Sequence, residues 1–358
     1  MRQICIAIVL TLASVGGCLG SDVESSGATP AGWTVAATIA PGVFDVKTCV
    51  PERMSPGFTL VWPLEGRTWY WFQECEVVRI MDIPGRTNIV RQGPALLYGI
   101  VGGSILGYNP DGTRAFAIHA LKDLQGPAHH DVLKSPQGTI FTLLAVDRGG
   151  GVRDDVVVEL TEEGEVLWSW SANLHLLGAL DGSAGLLHED WIHSNSLDLF
   201  PDGDVLLSAR NLNEVVRIDY PSGDVVWRWG GDILGLAHNA TVRPSGNILV
   251  YDNGVGRANQ TGIVEFSGDG HVVRDERLDF AANAFGSVQV LDNGNWLVVD
   301  GTHGRLIEYA PDFSQVVLEI VLMRGEYIPY HPDPHPVASY LYRATRVKAL
   351  PGTEEGTT

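Results

Sequence analysis

The sequence predicts an all-β chain, and within that class a six-bladed β-propeller of four-stranded antiparallel blades. Three observations carry this. The 42 Gly and 19 Pro, with frequent Asp-Gly and Asn-Gly pairs, mark many tight turns. Short Leu/Val-rich strands lie between those turns. One unit of strand, Gly turn, strand, strand, turn, strand recurs, with turn glycines at 138, 203, 246 and 294. Those glycines are 65, 43 and 48 residues apart, and four strands per roughly 40–50 residues is the period of a propeller blade.

The clearest unit runs from Ser196-Leu-Asp-Leu-Phe200 through the Pro201-Asp-Gly203 turn to Asp204–Arg210, Glu214–Asp219 and Asp224–Trp229. Asp131–Trp170, Ala240–Val273 and Ser287–Tyr309 repeat it, and a weaker unit fits residues 90–126, with its outer turn at Asn109-Pro-Asp-Gly112. The last segment, Tyr342–Gly352, starts a further blade that then stops. The N-terminal strands Phe58–Trp62 and Thr68–Phe72 are expected to complete it, closing the ring without a free edge. Leu174–Asp190 and Glu326–Pro336 read as insertions at a channel mouth.

Residues 1–20 read as a secretory signal: one positive charge, then an apolar run over Ile4–Val15 too short to span a membrane. Val15-Gly-Gly-Cys18 resembles a bacterial lipobox, which would lipidate Cys18, anchor the chain to a membrane and place it in the periplasm or cell envelope; simple cleavage near Gly20 is the alternative. Residues 21–50 read as tether and N-terminal segment, and 51–358 as the propeller domain. Cys49 and Cys75 are the two cysteines beyond the leader, either a disulfide or two buried thiols. The net charge of -19 argues against nucleic acid as a partner.

Candidate chemistry lies in Gly126-Pro-Ala-His-His-Asp131, Asp190-Trp-Ile-His-Ser-Asn195 and Gly235-Leu-Ala-His-Asn-Ala240. His130 and His238 stand eight residues before their turn glycines and His193 stands ten before its own. In regular strands this common parity puts all three imidazoles on one face, and ring closure makes them converge. Asn195 occupies the place in its blade that His130 and His238 take in theirs. Arg210, seven residues after Gly203 on an otherwise apolar second strand, calls for a partner or an anion.

In order and type these stretches resemble the bacterial arylsulfate sulfotransferases, six-bladed propellers of exported proteins. The matching segments are His129-His-Asp131, Trp191-Ile-His-Ser-Asn-Ser196, Ser208-Ala-Arg-Asn211 and His238-Asn-Ala240, with the Pro-Asp-Gly and Val-Trp-Arg-Trp-Gly repeats. The resemblance covers about residues 55–350 and departs in the short N-terminal region and compact blades. It implies PAPS-independent sulfuryl transfer from an aryl sulfate to a phenol, without cofactor or metal, by a ping-pong route through a sulfohistidine. It places His238 as nucleophile, His193 and Arg210 as its supporting pair, and His130 or His129 as the remaining histidine. Asn195 and His129 would contact substrate. Two other readings of the same residues are a non-catalytic envelope propeller, acting as scaffold or binding module, and a metal hydrolase with three imidazoles on one ion.

Overall fold

The computed structural model describes residues 42–64, 66–93, 96–119, 126–149, 152–176, 190–257, 259–323 and 340–352, and the backbone of 33–35. The signal segment, Cys18, the stretch 326–336 and most of the insertion after Leu174 lie outside the described residues. Six antiparallel sheets form the blades of a β-propeller. The innermost strands are Leu341–Val347 (blade I), Thr87–Gln92 (II), Ala128–Lys134 (III), Ser194–Leu199 (IV), His238–Val242 (V) and Ser287–Val290 (VI). Each touches the next around the ring, the last returning to the first.

Blade I closes the ring as expected. The C-terminal strand Leu341–Val347 pairs with Phe58–Pro63, which is followed by Thr68–Gln73 and Glu76–Asp82. Two blades carry a fifth, outer strand drawn from the segment read as a tether. Trp33–Val35 pairs with Glu76–Asp82, and Phe44–Cys49 pairs with Val316–Leu322 of blade VI. Phe44 explains the second addition: its ring meets Tyr70 and Phe72 edge-on at 4.9 and 5.0 Å between centroids.

The core lies between blades. Val205–Ala209, Ile248–Asp252 and Trp296–Asp300 are buried along their whole length, because a neighbouring blade covers each face. That is why these second strands read as continuous apolar runs.

Cys49 and Cys75 form a disulfide with Cα atoms 6.0 Å apart. It joins the fifth strand of blade VI to the turn between Thr68–Gln73 and Glu76–Asp82 in blade I, so it staples the seam of the ring. The chain-entropy model for a separation of 26 residues gives about 3.5 kcal/mol. Reduction is expected to lower the unfolding free energy in urea by about that amount.

Candidate active site

The three histidines gather at one end of the channel, but not by strand parity. Each inner strand breaks register at its start: between His129 and Val132, Ser194 and Ser196, and His238 and Ala240. His130 (φ 57°), His193 (φ 50°) and Asn239 (φ 46°) take left-handed backbone there. His193 precedes its strand, which begins at Ser194. The bulges re-aim side chains that a regular pleat would alternate. The equal spacing of His130, Asn195 and His238 from their turns does not give them equal places in the hairpins: His130 and Asn195 fall in the unpaired bulges, whereas His238 pairs with Tyr251. Arg210 does not lie on the second strand, which ends at Ala209; it opens the 3-10 turn Arg210–Leu212.

His130 is the hub. Its ring lies 4.7 Å from that of His193 and 4.9 Å from that of His129. Burial first, then the neighbouring His193, His129 and His238, hold its pKa well below the ordinary histidine value. Burial, then the Arg210 charge, does the same to His238. Burial pushes His129 down to about 4.

All three are therefore neutral at pH 7. The unfolded chain binds protons at these histidines below about pH 6.5 and the folded chain does not. Stability is thus full above that pH and falls as pH drops toward about 4. A denaturant midpoint that declines over this window is the expected result.

Hydrogen bonds assign the tautomer of His238, and the nearby Asp155 charge that of His129. His238 Nδ1 lies 2.6 Å from Asn253 Oδ1 and 3.2 Å from the Leu236 carbonyl, both acceptors. The Phe285 backbone N–H points at Nε2 at 3.3 Å. The proton is on Nδ1 and the lone pair is on Nε2. His129 Nε2 faces Asp155 at 3.5 Å and its Nδ1 meets His130 Nδ1 at 2.7 Å. The carboxylate favours a proton on His129 Nε2, so His130 donates from Nδ1.

His193 Nδ1 is hydrogen-bonded to the Asp190 carboxylate, which Arg153 also engages. Burial opposes ionisation of Asp190, but its bond to His193 and the charges of His193 and Arg153 hold its pKa below the usual range. Arg210 donates from Nη1 to Asn211 at 2.8 Å, while its buried Nε has no partner among the described residues. An unmatched guanidinium donor beside three imidazoles suits an anion.

Beneath the histidines the fully buried Asp131 binds Arg343 at 2.7 Å and Arg91 at 2.8 Å, and accepts the backbone N–H groups of Val132 and Leu197. Arg343 also donates to the Asn195 carbonyl at 2.7 Å. Asn195 is itself buried, its amide donating to the Ala237 carbonyl at 2.9 Å. It braces blade IV against blade V, and its Oδ1 has no partner among the described residues. A cavity of about 410 Å³ lies further along the channel, lined by Arg91, Arg243, Gln289 and Arg343 among others. None of His130, His193, His238 or Arg210 lines it. His119, His175, His271 and His303 are exposed, and Trp227 stacks on Trp229 in an outer strand.

Asp190, Asn253 and Arg343 carry the site and have no role in the sequence reading. Two had a signal. Asp190 stands three residues before His193, and Asn253 stands seven after Gly246, as Arg210 stands seven after Gly203.

Among the described residues no group of three or more His, Cys, Asp or Glu side chains is arranged to hold a metal ion. Among solved structures, a Bacteroides caccae protein of unknown function is similar at a TM-score of 0.57 and 14% identity, covering 81% of this chain and 98% of that one. A Staphylococcus aureus virginiamycin B lyase is similar at 0.46 and 10%, covering 79% and 90%. At these identities the first likeness shows the fold alone. No curated protein matches the chain. Residues 97–233, which hold His129, His130, His193 and Arg210 and end five residues before His238, match the family model described as Arylsulfotransferase (ASST), the family that the histidine and arginine motifs resemble.

Proposed function

We propose that the protein transfers a sulfuryl group from an aryl sulfate to a phenol in two steps through His238. The observation that carries this is the meeting of His130, His193 and His238 with the unmatched Arg210 donor at one end of the channel. The family match supports arylsulfotransferase activity in general.

In the first step the Phe285 N–H, which His238 Nε2 accepts at 3.3 Å, is released, and the freed Nε2 lone pair attacks sulfur. The N–S bond forms as the S–O bond to the aryl group breaks, and the phenolate takes a proton from His193. Asp190 stabilises the imidazolium that donates it and fixes its orientation. In the second step His193 accepts the proton of the incoming phenol, whose oxygen takes the sulfuryl group from His238. Arg210 holds the sulfuryl oxygens with fixed donors and permanent charge. His130 has its Nδ1 proton committed toward His129, so it adds a donor at Nε2 only as imidazolium. The anionic substrate favours that form.

His193→Gln is expected to cost about 10²-fold or more with phenyl sulfate, whose leaving group needs a proton. The contrast is read in the burst, which reports the first step alone: there the loss with 4-nitrophenyl sulfate, whose phenolate leaves unaided, is expected to be small. Equal losses with both donors would remove His193 as general acid.

The leader and Cys18 support export and lipid anchoring, so the proposed setting is the periplasm or cell envelope. The Cys49–Cys75 disulfide fits an oxidising compartment. The function is tested by incubating the protein with 4-nitrophenyl sulfate, with and without phenol. Phenol-dependent release of 4-nitrophenolate is the expected result; no release from folded protein would overturn the reading.

A further inference from the structure

The nucleophile in this proposal needs its lone pair on Nε2, and a neutral imidazole in solution carries its proton on either nitrogen. Something must hold the tautomer. Asn253 is 1% exposed and follows the second strand of blade V, Ile248–Asp252. Its orientation is not free. Nδ2 lies 2.9 Å from the Ala282 carbonyl and 3.1 Å from the Phe285 carbonyl. Both are acceptors only, so the amide nitrogen must face them and Oδ1 must face His238 Nδ1. An amide oxygen can only accept, so Nδ1 must donate. The Phe285 N–H reaches the same conclusion from the other side of the ring, since it can only donate to Nε2.

The segment Ala282–Phe285 is itself held tightly. Phe285 sits at φ 60°, and a Cβ on Gly301 would fall 2.5 Å from the Phe285 Cβ. Gly301 stands seven residues after Gly294, the place that Arg210 and Asn253 take in their blades. That repeat position thus supplies the anion-binding arginine in blade IV, the imidazole acceptor in blade V and clearance for Phe285 in blade VI.

We infer that Asn253 is a positioning residue that locks His238 in the Nδ1–H tautomer, presents Nε2 to sulfur, and ties the imidazole to the Ala282–Phe285 segment. This rests on the proposed sulfuryl transfer for its purpose, but the tautomer stands on hydrogen bonds alone. As sulfur bonds to Nε2, the proton on Nδ1 gives an imidazolium at His238. The amide oxygen opposite stabilises that charge without holding a charge of its own.

The test uses the full chain labelled with ¹⁵N at histidine, with His238→Gln assigning the resonance. In the wild type, His238 Nδ1 is expected in the protonated range and Nε2 in the unprotonated range. Asn253→Leu removes the 2.6 Å acceptor at similar volume and leaves only the longer contacts to the Leu236 carbonyl and the Phe285 N–H, so it is expected to shift the Nδ1 resonance and bring in a measurable share of the Nε2–H tautomer. It should also lower kcat/KM by about 10²-fold, the scale seen when partners that orient a histidine are removed. Asn253→Asp keeps an acceptor for Nδ1 but loses the donor to Ala282 and Phe285. It should hold the Nδ1–H tautomer and turn over faster than Asn253→Leu. If folded Asn253→Leu keeps Nδ1–H as its sole tautomer with unchanged kcat/KM, or if the wild type carries its proton on Nε2, the inference is overturned. If the wild type shows the expected tautomer but transfers no sulfuryl group, the tautomer assignment holds and the proposed function alone fails.

Discussion

His238→Ala is expected to reduce phenol-dependent 4-nitrophenolate release to background without unfolding the protein. The imidazole is 2% exposed, and its partners are an amide oxygen, a carbonyl and a backbone N–H, so its removal strands no charge. It does remove the atom to which the sulfuryl group bonds. Arg210, His193 and His130 would still bind the donor, so KM should change far less than kcat. A variant with full activity would move the nucleophile to another imidazole. His130 is the alternative, since its Nδ1 is bonded and its Nε2 has no hydrogen bond among the described residues.

The largest expected effect on stability lies beneath the site. Asp131→Ala is expected to destabilise the protein by about 3–5 kcal/mol, because it removes the counter-charge from a buried cluster. Arg343, 4% exposed, would keep the Asn195 carbonyl as a partner but would face Arg91 with no anion between them. The backbone N–H groups of Val132 and Leu197 would lose their acceptor as well. Asp131 and its partners reach inner strands in blades I, II, III and IV, so the loss loosens the hub of the ring rather than one blade. Urea unfolding at pH 7 measures it. A change under about 1 kcal/mol would mean that water enters and solvates the two guanidinium groups.

The fold was legible because each blade repeats the same local chemistry. Gly138, Gly203, Gly246 and Gly294 all have positive φ, from 84° to 102°, which the turns between innermost and second strands require. Burial on both faces leaves runs such as Val205–Ala209 uniformly apolar. The broken blade at Tyr342–Gly352 announced its own completion by the N-terminal strands. The outer strands Trp33–Val35 and Phe44–Cys49 gave no such signal. Phe44–Cys49 is short and half exposed, and its place depends on Phe44 meeting two rings distant in sequence.

The recurrence of the histidines was legible in the sequence, and the geometry that brings them together was not. His130, His193 and His238 were marked by recurrence, but left-handed residues and register breaks bring them together, and periodicity is blind to both. Asp131 follows His130 in the bulge and points down to Arg91 and Arg343 as a buried anion. The repeat marks the place of Asn253 but not its role, because a buried asparagine is set by its partners, of which Ala282 and Phe285 lie about thirty residues away.

The most direct test of the central claim is to mix the protein with 4-nitrophenyl sulfate in the absence of any phenol, quench, and map the peptides by mass spectrometry. The account predicts one sulfuryl group on His238, formed with a stoichiometric burst of 4-nitrophenolate and discharged when phenol is added. A sulfuryl group on any other residue, or rapid turnover to inorganic sulfate with no modified histidine, would contradict it.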